Sequence, residues 1–141
     1  MTDHGRTLTA LLGALATTVA FGCDDGGGGE NTGQSCTAPS ECYAGIAPAD
    51  IQGTIVCMDR VPGGYCTHNC ITDADCCAAT NECRTGFPQV CAPFESTGQD
   101  FCFLSCEGVA DEGTYCQANA GPAFNCRSTG GGTTNRKVCV P

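Results

Sequence analysis

The apolar positions along the chain fall into one long run and a scatter of short ones. The long run is LTALLGALATTVAFG, from Leu8 to Gly22, uncharged and preceded by MTDHGRT with Asp3 and Arg6. Its length suits the apolar region of a signal peptide and is shorter than the roughly 20 residues a membrane-spanning helix needs. Residues 1–22 are therefore expected to be a removable leader. Beyond it the apolar stretches are brief. Thr54-Ile55-Val56-Cys57 and Lys137-Val138-Cys139-Val140 are β-branched enough to predict strands. Val61-Pro62-Gly63-Gly64 and Gly130-Gly131-Gly132 predict turns, and Asp73 and Asp75 are placed to cap a helical turn around Cys76–Asn81. No segment sustains a helical period. The expected fold is small, disulfide-rich and loop-rich: tandem cysteine-rich modules with short β-hairpins and little regular secondary structure.

Composition gives the reason for that expectation. With no Trp, three Tyr, six Phe and 20 Gly, the apolar content is too thin to offset the entropy of ordering so long a chain. Fifteen cysteines in 141 residues supply the missing constraint, at the density that marks a disulfide scaffold and an oxidising compartment. Zinc, the main competing use of dense cysteine, is disfavoured because no C-x2-C pair occurs and the only histidines are His4 and His68. No metal and no cofactor are expected. A net charge of -9 argues against nucleic acid and against electrostatic docking on anionic lipid, both of which need a basic patch.

Cys23 stands apart from the other cysteines. It follows Ala20-Phe21-Gly22, which satisfies the small-x-small rule of a signal-peptidase site. The next cysteine, Cys36, lies thirteen residues on. Parity separates it further: fourteen cysteines can pair completely, whereas fifteen leave one over. The intervening DDGGGGENTGQS reads as a flexible acidic tether over residues 23–35. The Gly22-Cys23 junction resembles a bacterial lipobox. That resemblance implies cleavage before Cys23 and its acylation, with palmitate or similar chains, and several acyl chains hold a protein firmly on a membrane.

From Cys36 onward the chain recurs loosely. Val56-Cys57, Val90-Cys91 and Val138-Cys139 end three stretches, and Tyr65-Cys66-x3-Cys70 and Phe101-Cys102-x3-Cys106 open two. A period of 34–36 residues suggests tandem units over about 36–58, 65-92 and 101–141 of a domain spanning 36–141. Their cysteines are Cys36, Cys42 and Cys57; then Cys66, Cys70, Cys76, Cys77, Cys83 and Cys91; then Cys102, Cys106, Cys116, Cys126 and Cys139. The first and third sets are odd, so the simplest full oxidation ties unit one to unit three. Unit one lacks counterparts of both Cys66 and Cys83, which hints that those two pair, and Cys102 with Cys126 likewise.

Taken together, the Gly-Cys leader end, the acidic glycine-rich tether and Cys66-x3-Cys70-Ile71-Thr72-Asp73-Ala74-Asp75-Cys76 resemble the cysteine-rich lipoproteins of myxobacteria and related deltaproteobacteria. The resemblance implies an envelope location. The order C, C, CC, C, C in the second unit is similar to knottins and to dickkopf-type cysteine-rich modules.

Catalytic chemistry has little to build on. His68 is the only histidine after the leader and reads as an exposed turn residue between two half-cystines. No serine sits in a G-x-S-x-G context, and Ala78-Ala79-Thr80-Asn81 follows the Cys76-Cys77 pair where secreted phospholipases place a histidine. Asp73/Asp75 and Asp111/Glu112 are the body's acidic pairs, but no D-x-D-x-D-G loop accompanies them and they read as caps. Phe101 and Phe103 read as rings covering disulfides. The expectation is a non-enzymatic, lipid-anchored head on the outer membrane or cell surface, contacting a protein or surface ligand. The alternative is a secreted knottin-like inhibitor or toxin-like protein that uses a loop such as Asn81–Gln89 to block an enzyme.

Overall fold

The computed structural model describes residues 29–95, 97–130 and 132–141. It is a small disulfide-rich, loop-rich fold. Three antiparallel hairpins form its regular part: β1 (Ile55–Cys57) with β2 (Cys66–His68), β3 (Gln89–Pro93) with β4 (Asp100–Leu104), and β5 (Asn125–Ser128) with β6 (Lys137–Val140). A helical piece precedes each hairpin: 3-10 turns at Pro39–Glu41 and Asp73–Cys77, and the helix α1 at Glu112–Asn119. The expected strands at 54–57 and 137–140 therefore form, each a member of a hairpin.

In every hairpin two cysteines face each other: Cys57 and Cys66, Cys91 and Cys102, Cys126 and Cys139. Directly opposed residues share one face of the ladder, so both sulfurs point the same way. Neither bonds the other. Cys57 reaches back to Cys36 and Cys66 to Cys42; Cys91 to Cys70 and Cys102 to Cys76; Cys126 to Cys106 and Cys139 to Cys116. One interlaced scheme, first to third and second to fourth, thus occurs three times, in modules bounded by Cys36–Cys66, Cys70–Cys102 and Cys106–Cys139. The seventh bridge, Cys77–Cys83, lies inside the second module and outside the scheme.

This frame corrects the one drawn from spacing. Cys66 and Cys102 close modules one and two rather than opening two and three. No disulfide joins the first module to the third. Cys66 pairs with Cys42 and not Cys83, and Cys126 pairs with Cys106 and not Cys102.

The modules also join through backbone. The third residue beyond one module's last cysteine bridges to the residue before the next module's last cysteine: Asn69 to Phe101, and Ser105 to Val138. Thr67 Oγ1 of the first module donates to the Cys102 carbonyl of the second at 2.6 Å. Arg136 forks between modules, with Nε 2.7 Å from Glu107 and Nη1 3.1 Å from Asp73. Beneath these joints lies the main apolar cluster. Its buried rings are Tyr65, Phe101, Phe103 and Phe124, with Phe94 against Phe103 at 5.7 Å between centroids. Phe101 and Phe103 are both buried, so the alternating rings face inward. A smaller cluster of Cys36, Cys42, Tyr43, Ile51 and Cys66 fills the first module.

Local chemistry places the helical pieces. Asp75 accepts from the Ile71 and Thr72 amides at 2.8 and 2.7 Å, so the capped turn begins at Asp73, not Cys76. Asp111 caps α1 by accepting from Thr114 N, and Gly121 at φ 136 followed by Pro122 stops it. Only Cys116 of α1 is buried, which is why its sequence carries no apolar period.

Gly64, at φ 75, closes the turn before β2; a Cβ there would sit 2.0 Å from the Cys36 carbonyl oxygen. Its neighbour Gly63, at φ 80, faces open space. Gly64→Ala is expected to destabilise the oxidised protein by more than about 3 kcal/mol, and Gly63→Ala by only the 1–2 kcal/mol of left-handed strain. Urea unfolding of the two variants side by side checks this; equal losses would contradict the close approach.

Candidate functional site

The densest polar chemistry is buried where the N-terminal segment meets the loop between Cys77 and Thr85. Residues 30–34 were expected to belong to a tether and are instead part of the fold. Glu30, Asn31 and Thr32 are 3%, 0% and 1% exposed. The Glu30 carboxylate accepts from the amides of Arg84 and Thr85 and from the Thr85 hydroxyl. Asn31 Nδ2 donates to the carbonyls of Asn81 (3.0 Å) and Glu82 (2.8 Å). Thr32 Oγ1 lies 2.9 Å from the Tyr43 hydroxyl. Gly33 N donates to Cys66 O, and Cys66 N donates to Gln34 O. The segment is a strap, holding loop 79–85 on one side and β2 on the other.

Under the strap lies His68. It is fully buried rather than an exposed turn residue, because β2 turns it inward against Glu82, itself fully buried. His68 Nε2 is 2.6 Å from Glu82 Oε1, and Nδ1 is 2.8 and 2.9 Å from the carbonyl oxygens of Gln52 and Asn69. Two carbonyls require a proton on Nδ1, and the carboxylate favours a second on Nε2. The ring is then an imidazolium donating on both sides. Burial pushes its pKa down, but hydrogen bonds to Glu82 and the two carbonyls outweigh that, and the net shift is upward. Glu82 Oε2 accepts from Ala79 N at 2.8 Å, closing the loop on itself. The Tyr43 ring meets His68 edge-on at 5.5 Å, and burial pushes its phenol pKa upward.

Two residues here carry backbone strain. Tyr43, at φ 56, and Asn81, at φ 66, are non-glycine residues in the left-handed region. Both touch the strap, Tyr43 through Thr32 and Asn81 through Asn31, so the strap's hydrogen bonds offset conformations that cost free energy alone.

With both ring nitrogens engaged and no exposed surface, His68 has no face to offer a substrate. The acidic pairs are committed elsewhere. Asp73 accepts from Cys91 N and pairs with Arg136, Asp75 caps its turn, Asp111 caps α1, and Glu112 pairs with Lys137 at 2.6 Å. Three sulfurs cluster within 4.8 Å in each module, as in Cys36, Cys42 and Cys66. All of them are disulfide sulfurs, which lack the thiolate a metal takes. The expected loop Asn81–Gln89 is pinned at Glu82 and Gln89, both buried, and by the Glu30 clasp at Arg84 and Thr85. Cys23 lies outside the described residues.

Where the three hairpins meet, a groove of about 390 Å³ runs over Val61, Phe94, Val138 and Val140. Arg60 on its rim pairs with Glu95 at 2.6 Å.

Spacing missed Glu30, Asn31, Thr32, Glu82 and Gln89. One signal was present: Glu30-Asn31-Thr32 interrupts a glycine run with three hydrogen-bonding side chains in succession.

No family model, no curated protein and no solved structure matches this chain.

Because the folded pKa of His68 is raised, its stabilising contribution is complete below the unfolded value of 6.5 and is lost as pH rises through the folded value. The urea midpoint of the oxidised protein should therefore fall between pH 6 and pH 9. His68→Gln should flatten that dependence and cost about 3–5 kcal/mol at pH 6, since it strands the Glu82 charge. A wild-type midpoint that rises over this range would contradict the imidazolium assignment.

Proposed function

We propose that the chain is a non-enzymatic bacterial envelope lipoprotein, anchored through acylated Cys23 and presenting its cross-linked head for binding or structural interaction at the outer membrane or cell surface. The observation that carries this reading is the pairing of all fourteen cysteines from Cys36 onward with one another. Cys23 is left without an intramolecular partner, and acylation accounts for it without a stray thiol in an oxidising compartment. The leader of residues 1–22 supplies the export step, and Gly22-Cys23 the cleavage junction. A head fixed by seven disulfides presents its surface at low ordering cost, which favours binding by preformed loops and the groove between hairpins.

The strap adds a dimension to this reading. Only Asp24–Gly29, six residues, separate Cys23 from Glu30, the first buried side chain among the described residues. Fully extended they span at most roughly 20 Å. The head then stands close over the bilayer, with the Glu30–Thr85 side of the fold nearest the anchor.

Intact-mass measurement of the mature protein tests this directly. The expected species begins at Cys23, carries a diacylglycerol adduct, and gains fourteen protons on complete reduction. An unacylated amino terminus with Cys23 titrating as a free thiol would contradict the anchor.

A further inference from the structure

The Cys77–Cys83 bridge differs from the other six in three respects. It stands outside the interlaced scheme, and its cysteines are only 6 residues apart in sequence, against 20 to 26 for the others. Cys77 is also the one half-cystine whose residue is exposed. Every other half-cystine is buried or half-buried, so this bridge is the one that offers an exposed cysteine to a solvent thiolate. We propose that Cys77–Cys83 is a thiol–disulfide exchange site for a dithiol partner, and that opening it releases the Glu30–Thr32 strap.

The geometry around the two sulfurs gives the direction of attack. A thiolate of the dithiol meets Cys77 Sγ from solvent, forming a mixed disulfide as the Cys77–Cys83 bond breaks. The electron pair departs with Cys83 Sγ, and the buried amide of Gln89 is in place to receive that charge, with Nε2 3.0 Å from Cys83 Sγ. A donor at the leaving sulfur favours this step, since departure is faster when the thiolate is stabilised. The partner's second thiolate then attacks its own sulfur in the mixed disulfide and releases Cys77. The partner leaves oxidised to a disulfide; the protein holds two thiols, having gained two electrons and two protons. Bridges Cys70–Cys91 and Cys76–Cys102 keep the module folded meanwhile.

The consequence is local and travels through contacts already described. The ring closed by Cys77–Cys83 contains Asn81, in its left-handed conformation, and Glu82. Those residues receive Asn31, and the next two, Arg84 and Thr85, receive Glu30. Opening the ring lets Asn81 relax and removes the frame on which the strap is hydrogen-bonded. The short loop keeps the two thiols near each other, so the exchange also runs in reverse: the partner's disulfide takes up two electrons and two protons as the bridge re-forms.

The test uses the folded, fully oxidised chain with limiting dithiothreitol as the dithiol, followed by alkylation, peptide mapping and amide hydrogen exchange. Cys77 and Cys83 should be alkylated before any other pair. At that stage the amides of Arg84 and Thr85 should lose protection while the β3–β4 ladder keeps it. Gln89→Leu should slow opening of this bridge about tenfold, the effect of one hydrogen bond in the departing state, and leave the other six unchanged. Earlier opening of another bridge, or undiminished protection at Arg84 and Thr85, would overturn the proposal; an unchanged rate in Gln89→Leu would remove Gln89 from it.

Discussion

The structure depends on one constraint: two cysteines directly opposed on a hairpin, each bonded not to the other but back to the segment before it, one ahead of the helical piece and one within it or at its end. A bond between the opposed residues would lock a ladder that backbone hydrogen bonds already hold. Crossing back instead ties each hairpin to the preceding segment at two points, one before the helical piece and one in it or at its end, which fixes that piece over one face of the strands. Each such bridge closes about twenty residues and contributes on the order of 3 kcal/mol, though nested loops do not add. With so small an apolar core, that is the scale of stabilisation on which the fold rests. One backbone bridge at each joint, the Thr67 hydroxyl, the Arg136 fork and the shared apolar cluster then join modules that are each already cross-linked.

The strap shows what that rigidity makes possible. Burying Glu30, Asn31, Thr32, His68 and Glu82 in a chain with so little apolar surface would be costly if any were unpaired. Here the disulfides hold the acceptors in place. Loop 79–85 is closed by Cys77–Cys83, and β2 is pinned by Cys66, so a polar segment can settle between them. Among the described residues, Asn31 Oδ1 and Gln89 Oε1 are the buried side-chain atoms without a partner, and both belong to residues that flank this loop.

How much of this was legible in the sequence follows from what the cysteines encode. Their number and parity indicated a scaffold closed on fourteen of them. The β-branched tetrapeptides marked two strands. The module frame was misread because the Val-Cys dipeptide marks two different positions. In Val56-Cys57 and Val90-Cys91 it is the third cysteine of a module, and in Val138-Cys139 the fourth. C-x3-C looks like an opening and is a joint, its first cysteine closing one module and its second starting the next. The spacing C-x5-C spans the first two positions of two modules, Cys36–Cys42 and Cys70–Cys76, but recurs in the bonded pair Cys77–Cys83 outside the scheme, so it does not mark the frame by itself. His68 and Glu82 were not legible as a pair. They are fourteen residues apart, and only the folding of β2 against the Cys77–Cys83 ring brings them together. The strap was hidden by composition, because glycine and acid read as spacer until a partner loop exists to receive the side chains.

The interlaced pairing itself is the claim on which these others stand, and disulfide mapping tests it most directly. Partial reduction and tandem mass spectrometry of the native protein should join Cys36 to Cys57, Cys42 to Cys66, Cys70 to Cys91, Cys76 to Cys102, Cys106 to Cys126 and Cys116 to Cys139. Bonds between the facing cysteines, such as Cys57 to Cys66 or Cys91 to Cys102, or any bond between modules, would contradict it.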